Sequence, residues 1–302
     1  MDFGFFISGL LTGLREGVQA ALIVSIIMAY LAKTGNQRYF GPIWLGAGVA
    51  VALSVVIGLV LFNTIGGLEE PAEQIFEGIA MLIAAGVVTW MLFWMRRTSA
   101  NIKGELQAGV DRALMHGGIL GLSVLAFTAV IREGIETALF LMGQATAAGT
   151  EASSTLIGAI VGLATAVAIG YGLYRGARVL NLRTFFLWTG VALVFIAAGL
   201  LAHAVHEFVE IGWITIGTST AFDISAILPH ETADGGLGVV GSILRAMFGY
   251  TSTPEWITLA AWLVYVVVVL YLYTRPVRRS EAPVAARSPR RAFCVWPKPR
   301  RR

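Results

Sequence analysis

The chain's 302 residues predict an all-α integral membrane protein with seven transmembrane helices, on three observations. Hydrophobic residues make up 57% and charged residues 13%, at a mean hydropathy of +0.75, outside the range of a water-soluble domain. Seven apolar runs reach or exceed the length of about 20 residues that a helix needs to cross the hydrocarbon core. Lysine and arginine collect in alternate connections between those runs, the asymmetry that sets membrane orientation.

In order, the predicted spans are 4–31, 42–65, 74–95, 118–143, 155–174, 184–206 and 256–274. The first has no basic segment ahead of it and carries charge at its centre, so it is expected to be retained and not cleaved as a leader. Glycines inside the spans, from a total of 35, fit helices that pack closely in lipid. Between spans three and four, Ile102, Leu106, Val110 and Leu114 recur every four residues, which predicts an amphipathic helix on the inner surface. The outer loop 207–255 is partly apolar, and 238–244 is expected to dip into the interface. These segments form one seven-helix transmembrane domain, 1–274, followed by a basic, disordered cytoplasmic tail, 275–302, whose simplest role is attraction to anionic lipid. Nothing in the chain points to nucleic acid, and its oligomeric state is not legible.

Lys33 and Arg38, then Arg96, Arg97, Lys103 and Arg112, then Arg175, Arg178 and Arg183, and finally the tail hold all but three of the 22 basic residues. Two of those three, Arg15 and Arg132, lie inside spans, and Arg245 stands alone on the other side. The bias predicts a multi-pass protein of the cytoplasmic membrane with its N-terminus outside and its C-terminus inside. Twelve of the 18 acidic residues fall on or near the outer face, either as a cation-concentrating vestibule or because acids do not set topology.

Two spans carry charge where it is least favourable. Arg15-Glu16-Gly17-Val18-Gln19 and Arg132-Glu133-Gly134-Ile135-Glu136 each sit mid-span, where one ionised side chain costs roughly 2.5–3.5 kcal/mol on insertion scales. Helical spacing places Arg15 above Gln19 and Arg132 above Glu136, and brings Glu16 near Gln19 and Glu133 near Glu136. Gly17 and Gly134 leave room for another helix or an ion against the backbone. Two buried bridges locking helices together would be the structural reading; repetition of the same residue order favours function. Each motif helix is followed by two more spans, so the chain divides into an inverted 3+3 repeat, 1–95 and 118–206, with the seventh span outside it. Inverted repeats place a substrate site near the midplane between the halves.

Carboxylates select hard cations, and the single cysteine, Cys294, lies in the tail, so no thiolate cluster is available. Fe³⁺, Mn²⁺ and Ca²⁺ all suit such donors.

The paired motifs on spans one and four resemble those of the oxidase-dependent iron permease family, which includes fungal high-affinity and bacterial Efe-type permeases. The likeness extends over most of 1–275, with Phe76-Glu77-Gly78 opening span three, Thr89-Trp90-Met91-Leu92-Phe93-Trp94-Met95-Arg96 closing it, and Ala221-Phe222-Asp223-Ile224-Ser225-Ala226 in the last outer loop. The resemblance implies import of iron as Fe³⁺, produced from Fe²⁺ by an outer oxidase of the Efe type. It also implies a path lined by Glu16, Glu133 and Glu136 with Arg15 and Arg132 as charge partners, iron as substrate, and no tightly bound cofactor. This sequence departs from the family pattern at Gln19, the fourth expected metal-site residue, where a glutamate is usual, so the motif charge becomes −1 where four glutamates would give −2.

A second cluster, His203, His206, Glu207 and Glu210, closes span six, with 203, 207 and 210 on one helical face. Together with the acidic stripe Glu70, Glu73 and Glu77 it offers a possible outer metal site, or simply a polar helix end. Asp223, His230, Glu231 and Asp234 are weaker loop candidates. Span seven has no lysine for a retinal-type receptor, and none of Lys33, Lys103 or Lys298 sits in a phosphate loop. His203-Ala204-Val205-His206-Glu207 leaves a membrane metallohydrolase as an alternative, alongside a carrier for another hard divalent cation such as Mn²⁺.

Overall fold

Apolar runs of this length find no backbone partner in lipid except themselves, and they fold as helices. In the computed structural model, which describes residues 2–65, 72–98, 102–175, 181–228 and 236–275, the helices are α1 (Phe3–Lys33), α2 (Phe40–Ile65), α3 (Ala72–Thr98), α4 (Ile102–His116), α5 (Gly118–Ala148), α6 (Ala152–Tyr174), α7 (Leu182–Glu210), α8 (Gly236–Phe248) and α9 (Trp256–Thr274). All except α4 and α8 are long and apolar enough to cross a membrane. The described residues contain no strand, only an isolated bridge between Thr220 and Glu255. Glu70, His230, Glu231, Asp234 and the tail 276–302 lie outside the described residues.

The spans match the predicted runs, with α5 and α7 reaching further, to Ala148 and Glu210. Polar residues at a span's end find water or headgroups there, so the helix continues past its last apolar residue. The helix predicted between spans three and four is α4. The stretch around 238–244 forms α8, which docks on protein: a Cβ on Gly4 would meet the Ser242 carbonyl oxygen at 2.3 Å. Ser242 Oγ donates to Asp2, which also caps α1 by accepting from the Gly4 and Phe5 amides.

Glycine sets how closely the spans approach. A Cβ on Gly9 or Gly13 would overlap the α6 backbone, and one on Gly17 would stand 2.6 Å from the Ala166 methyl, so α1 and α6 lie parallel and in intimate contact. α5 lies along α2 in the same way, Gly46 against Ser123 and Gly134 against Ser54. The room left by Gly17 and Gly134 is therefore taken by neighbouring helices.

α1 and α5 run antiparallel, joined by Gln144 Nε2 donating to Thr12 Oγ1 at 2.8 Å. α3 is antiparallel to α7, with Gly78 against Phe208, and α7 to α9, with Gly190 against Tyr273. The largest buried cluster joins Met81, Val88 and Met91 of α3 with Phe140 of α5, Leu193 and Leu200 of α7 and Val269 of α9. These packings leave Asp2 and Thr274 at opposite faces of the bundle, called below the Asp2 face and the Lys33 face.

Candidate metal centre

Glu16 lies near the middle of α1 and Glu133 at the middle of α5, each about 20 Å of helix from either end. Antiparallel packing of two helices that carry their motifs at mid-length brings the motifs to the same depth. There Glu16, Glu133 and Glu136 converge, their nearest carboxylate oxygens all within 4.8 Å of one another. Among the described residues no other group of three or more His, Cys, Asp or Glu side chains does so. Two ligands on opposite sides of an ion at about 2.1 Å stand about 4.2 Å apart, so a small closure would complete coordination.

The three carboxylates are unequally satisfied. Glu16 accepts from Arg15 Nη1 at 2.9 Å on one oxygen and from Gln19 Nε2 at 2.9 Å on the other. Glu136 Oε1 accepts from Arg132 Nε at 3.0 Å, while Glu136 Oε2 and Glu133 Oε2 are buried with no hydrogen-bond partner. A buried polar oxygen without a partner is costly, and more so when charged. With every group ionised the centre carries two positive charges against three negative. A cation bound between the carboxylates would satisfy both free oxygens and offset that excess.

The spacing argument holds for Arg132, which takes the i+4 carboxylate, and for Gln19 with Glu16. It fails for Arg15, which was expected above Gln19 but turns to Glu16, because an amide at that position offers it no charge. Arg15 is 2% exposed, whereas the Arg132 side chain is 30% exposed and stacks over Trp94, its guanidinium carbon 3.5 Å from the ring centroid. Sequence reasoning used Trp90 and Trp94 only as part of a likeness. It also passed over Thr12 and Gln144, although a buried threonine one turn from Glu16 and a glutamine two turns from Glu136 are polar signals inside apolar helices.

Among the described residues, the outer candidates do not converge into a comparable ligand set. His206 Nδ1 lies 2.8 Å from Glu255 and its Nε2 3.4 Å from Glu210, while His203 Nδ1 faces the Gly199 carbonyl of its own helix at 3.1 Å. The start of α3 does meet the end of α7: Gln74 Nε2 donates to Glu210 at 3.3 Å, and Glu207 and Phe208 pack on Gly78, beside Glu73 and Glu77. The Ser225 hydroxyl and amide hold Asp223 below the usual carboxylate range, an arrangement of the loop with itself.

Seven helices long and apolar enough to cross a membrane, around a charged centre at mid-depth, define a polytopic membrane protein of the carrier type. The chain belongs to the iron permease FTR1 family, whose pattern matches residues 6–279. It is 39% identical over 270 residues to the ferrous iron permease EfeU of Escherichia coli O6:H1 (strain CFT073), an overlap covering 88% of this chain and 94% of that protein. It is 35% identical over 277 residues to EfeU of Yersinia pestis, covering 90% and 94%. A further relative, at 38% over 270 residues, is named a putative inactive ferrous iron permease EfeU, from E. coli K12. No solved structure matches the chain.

Proposed function

We propose that the chain is an iron permease that holds the ion at mid-depth between Glu16, Glu133 and Glu136 and passes it across the cytoplasmic membrane. One observation carries the reading above all: two carboxylate oxygens, on Glu133 and Glu136, are buried and unpartnered inside a three-carboxylate cluster. Family membership supports the cargo.

The Asp2 face is the outer one and the Lys33 face the inner one, from the distribution of lysine and arginine. The packing of α1 on α6 and of α5 on α2 is what an inverted pair of three-helix units would make across a two-fold axis, each motif glycine receiving the second helix of the other unit. Iron reaches the outer face as Fe²⁺, is oxidised by a partner of the Efe type, and enters as Fe³⁺, whose charge density best suits three hard oxygen donors. When the ion leaves inward, the Arg15–Glu16 and Arg132–Glu136 pairs partly neutralise the carboxylates, so a bare anionic cluster is not exposed in the membrane.

A second reading has its own observation. Gln19 removes one negative charge from the centre and occupies one Glu16 oxygen, which favours a less charged cargo, Fe²⁺ itself or another hard divalent ion. Uptake of radiolabelled iron into proteoliposomes decides between them, with Fe³⁺ as a soluble chelate, Fe²⁺ under reductant, and Mn²⁺ offered separately. Saturable iron uptake that disappears with Glu133→Gln is the expected result. Preference for Fe²⁺ without an oxidase would select the second reading, and Mn²⁺ flux alone would remove iron altogether.

A further inference from the structure

Between the carboxylates and the Asp2 face, a partly open cavity of about 20 Å³ is bordered by α1, α5, α7 and α8. Its lining includes Ser8, Gln144, His203 and Arg245. A space of this size holds about one water molecule or one small ion. Ser8 is 1% exposed and Gln144 4%, yet Ser8 Oγ and Gln144 Oε1 have no hydrogen-bond partner. Two orphaned polar atoms bordering one small cavity are the mark of a place that something polar visits.

The cavity is in register with the centre. Ser8, Thr12 and Glu16 follow one another at i, i+4 along a single face of α1, and Gln144 stands on α5 two turns outward of Glu136. The hydrogen bond from Gln144 Nε2 to Thr12 Oγ1 lies between the cavity and the carboxylates.

We propose that this cavity is a transit site for the metal ion on its way to the carboxylates, with Ser8 Oγ and Gln144 Oε1 as neutral oxygen ligands. It rests on the permease reading. Neutral donors suit a stopping point, because conduction requires binding weak enough to release the ion onward. Arg245, whose guanidinium carbon lies 5.8 Å from the Phe5 ring centroid at the cavity edge, works against a resident cation and keeps the stay short.

The test uses full-length protein in proteoliposomes. Gln144→Leu slows initial iron uptake about tenfold. In a Cys294→Ser background, Ser8→Cys places a soft ligand in the cavity, so external Cd²⁺ blocks its iron uptake, a chelator restores it, and the Cys294→Ser parent is unaffected. Parental uptake by Gln144→Leu, or Ser8→Cys flux indifferent to Cd²⁺, overturns the transit site while leaving the permease reading intact. A parent that moves no iron overturns the permease reading itself, and the transit site falls with it.

Discussion

The two charged motifs share a residue order and differ in what they leave free. On α1 both Glu16 oxygens are partnered, by Arg15 and by Gln19, and the buried motif atoms left without a partner are Arg15 Nε and the Gln19 amide oxygen. On α5 Arg132 takes Glu136 from the side and stacks on Trp94, which leaves Glu133 Oε2 and Glu136 Oε2 open. The difference follows from one position. Where the fifth residue is Glu136, the arginine has an i+4 carboxylate to hold; where it is Gln19, the arginine must turn to its neighbour, although adjacent residues on a helix do not face each other. The first motif thus holds its carboxylate between two donors, and the second leaves two carboxylate oxygens open.

Breaking the second motif has the largest expected effect. Glu133→Gln lowers iron uptake about 100-fold or more, equal to about 2.7 kcal/mol on the transport barrier, while the thermal midpoint in detergent stays level or rises because an unpaired buried charge is gone. Glu16→Gln should be milder in uptake, since Glu16 already has both oxygens partnered. Equal losses for the two variants would erase the distinction between the held carboxylate and the open one.

Removing the arginines ranks next and tests directly how each motif holds its carboxylate. Arg15→Met strands a fully buried Glu16 and should destabilise the protein by about 3–5 kcal/mol. Arg132→Met also leaves the buried Glu136 without a donor and ends a ring stack, but the Arg132 side chain is 30% exposed, so water can take its place and the loss should be smaller, about 1–2 kcal/mol. Thermal unfolding of both variants in the same detergent reads the gap, and a larger loss for Arg132→Met would reverse the assignment.

Much of this was legible in the chain because lipid simplifies the problem: a long apolar run has one way to satisfy its backbone, so all seven spans follow from composition. The amphipathic α4 follows from a period of four. The meeting of Glu16, Glu133 and Glu136 was also foreseeable, since motifs at mid-helix on antiparallel spans must come level. The position of α8 was not, because it depends on close approaches of Gly4 to Ser242 and of Gly249 to Gly199, which join residues more than 40 apart in sequence. Spacing alone set Arg15 above Gln19 and did not show which glutamate it would pair with, because an amide at position 19 leaves the adjacent Glu16 as the nearest charge on α1.

Gln19→Glu sharpens the comparison by giving Arg15 the same i+4 carboxylate that Arg132 has. The substitution also removes the Nε2 donor to Glu16 and sets two carboxylates together at a position only 4% exposed. Without iron, stability should fall by about 1–3 kcal/mol. Saturating iron should raise the midpoint more than it does for the parent, because tighter binding to the folded state stabilises it further. Uptake should shift toward Fe³⁺. Iron affinity and flux identical to the parent's would show that Gln19 does not attenuate the first motif.

The smallest effect lies outside the membrane, where Glu255 joins the loop ahead of α9 to His206. Burial alone would raise the Glu255 pKa, but hydrogen bonds from Thr258 at 2.7 Å, from its own backbone and from His206 at 2.8 Å outweigh it and hold the carboxyl below its ordinary value of 4.5. A depressed folded pKa means that the carboxylate contributes stability above its unfolded pKa and loses it as pH falls through the folded one. Glu210 also faces His206, so the imidazole remains near one carboxylate when Glu255 is replaced. Acidification below the ordinary carboxylate range should therefore quicken amide exchange at Ile257, whose amide bonds the Gly217 carbonyl, and at Trp256, bonded to Ser219. Glu255→Gln should show that faster exchange at neutral pH already and lose most of the pH dependence. An unchanged pH profile in the variant would place the acid sensitivity of this loop elsewhere and leave the His206–Glu255 contact a surface pair of little consequence.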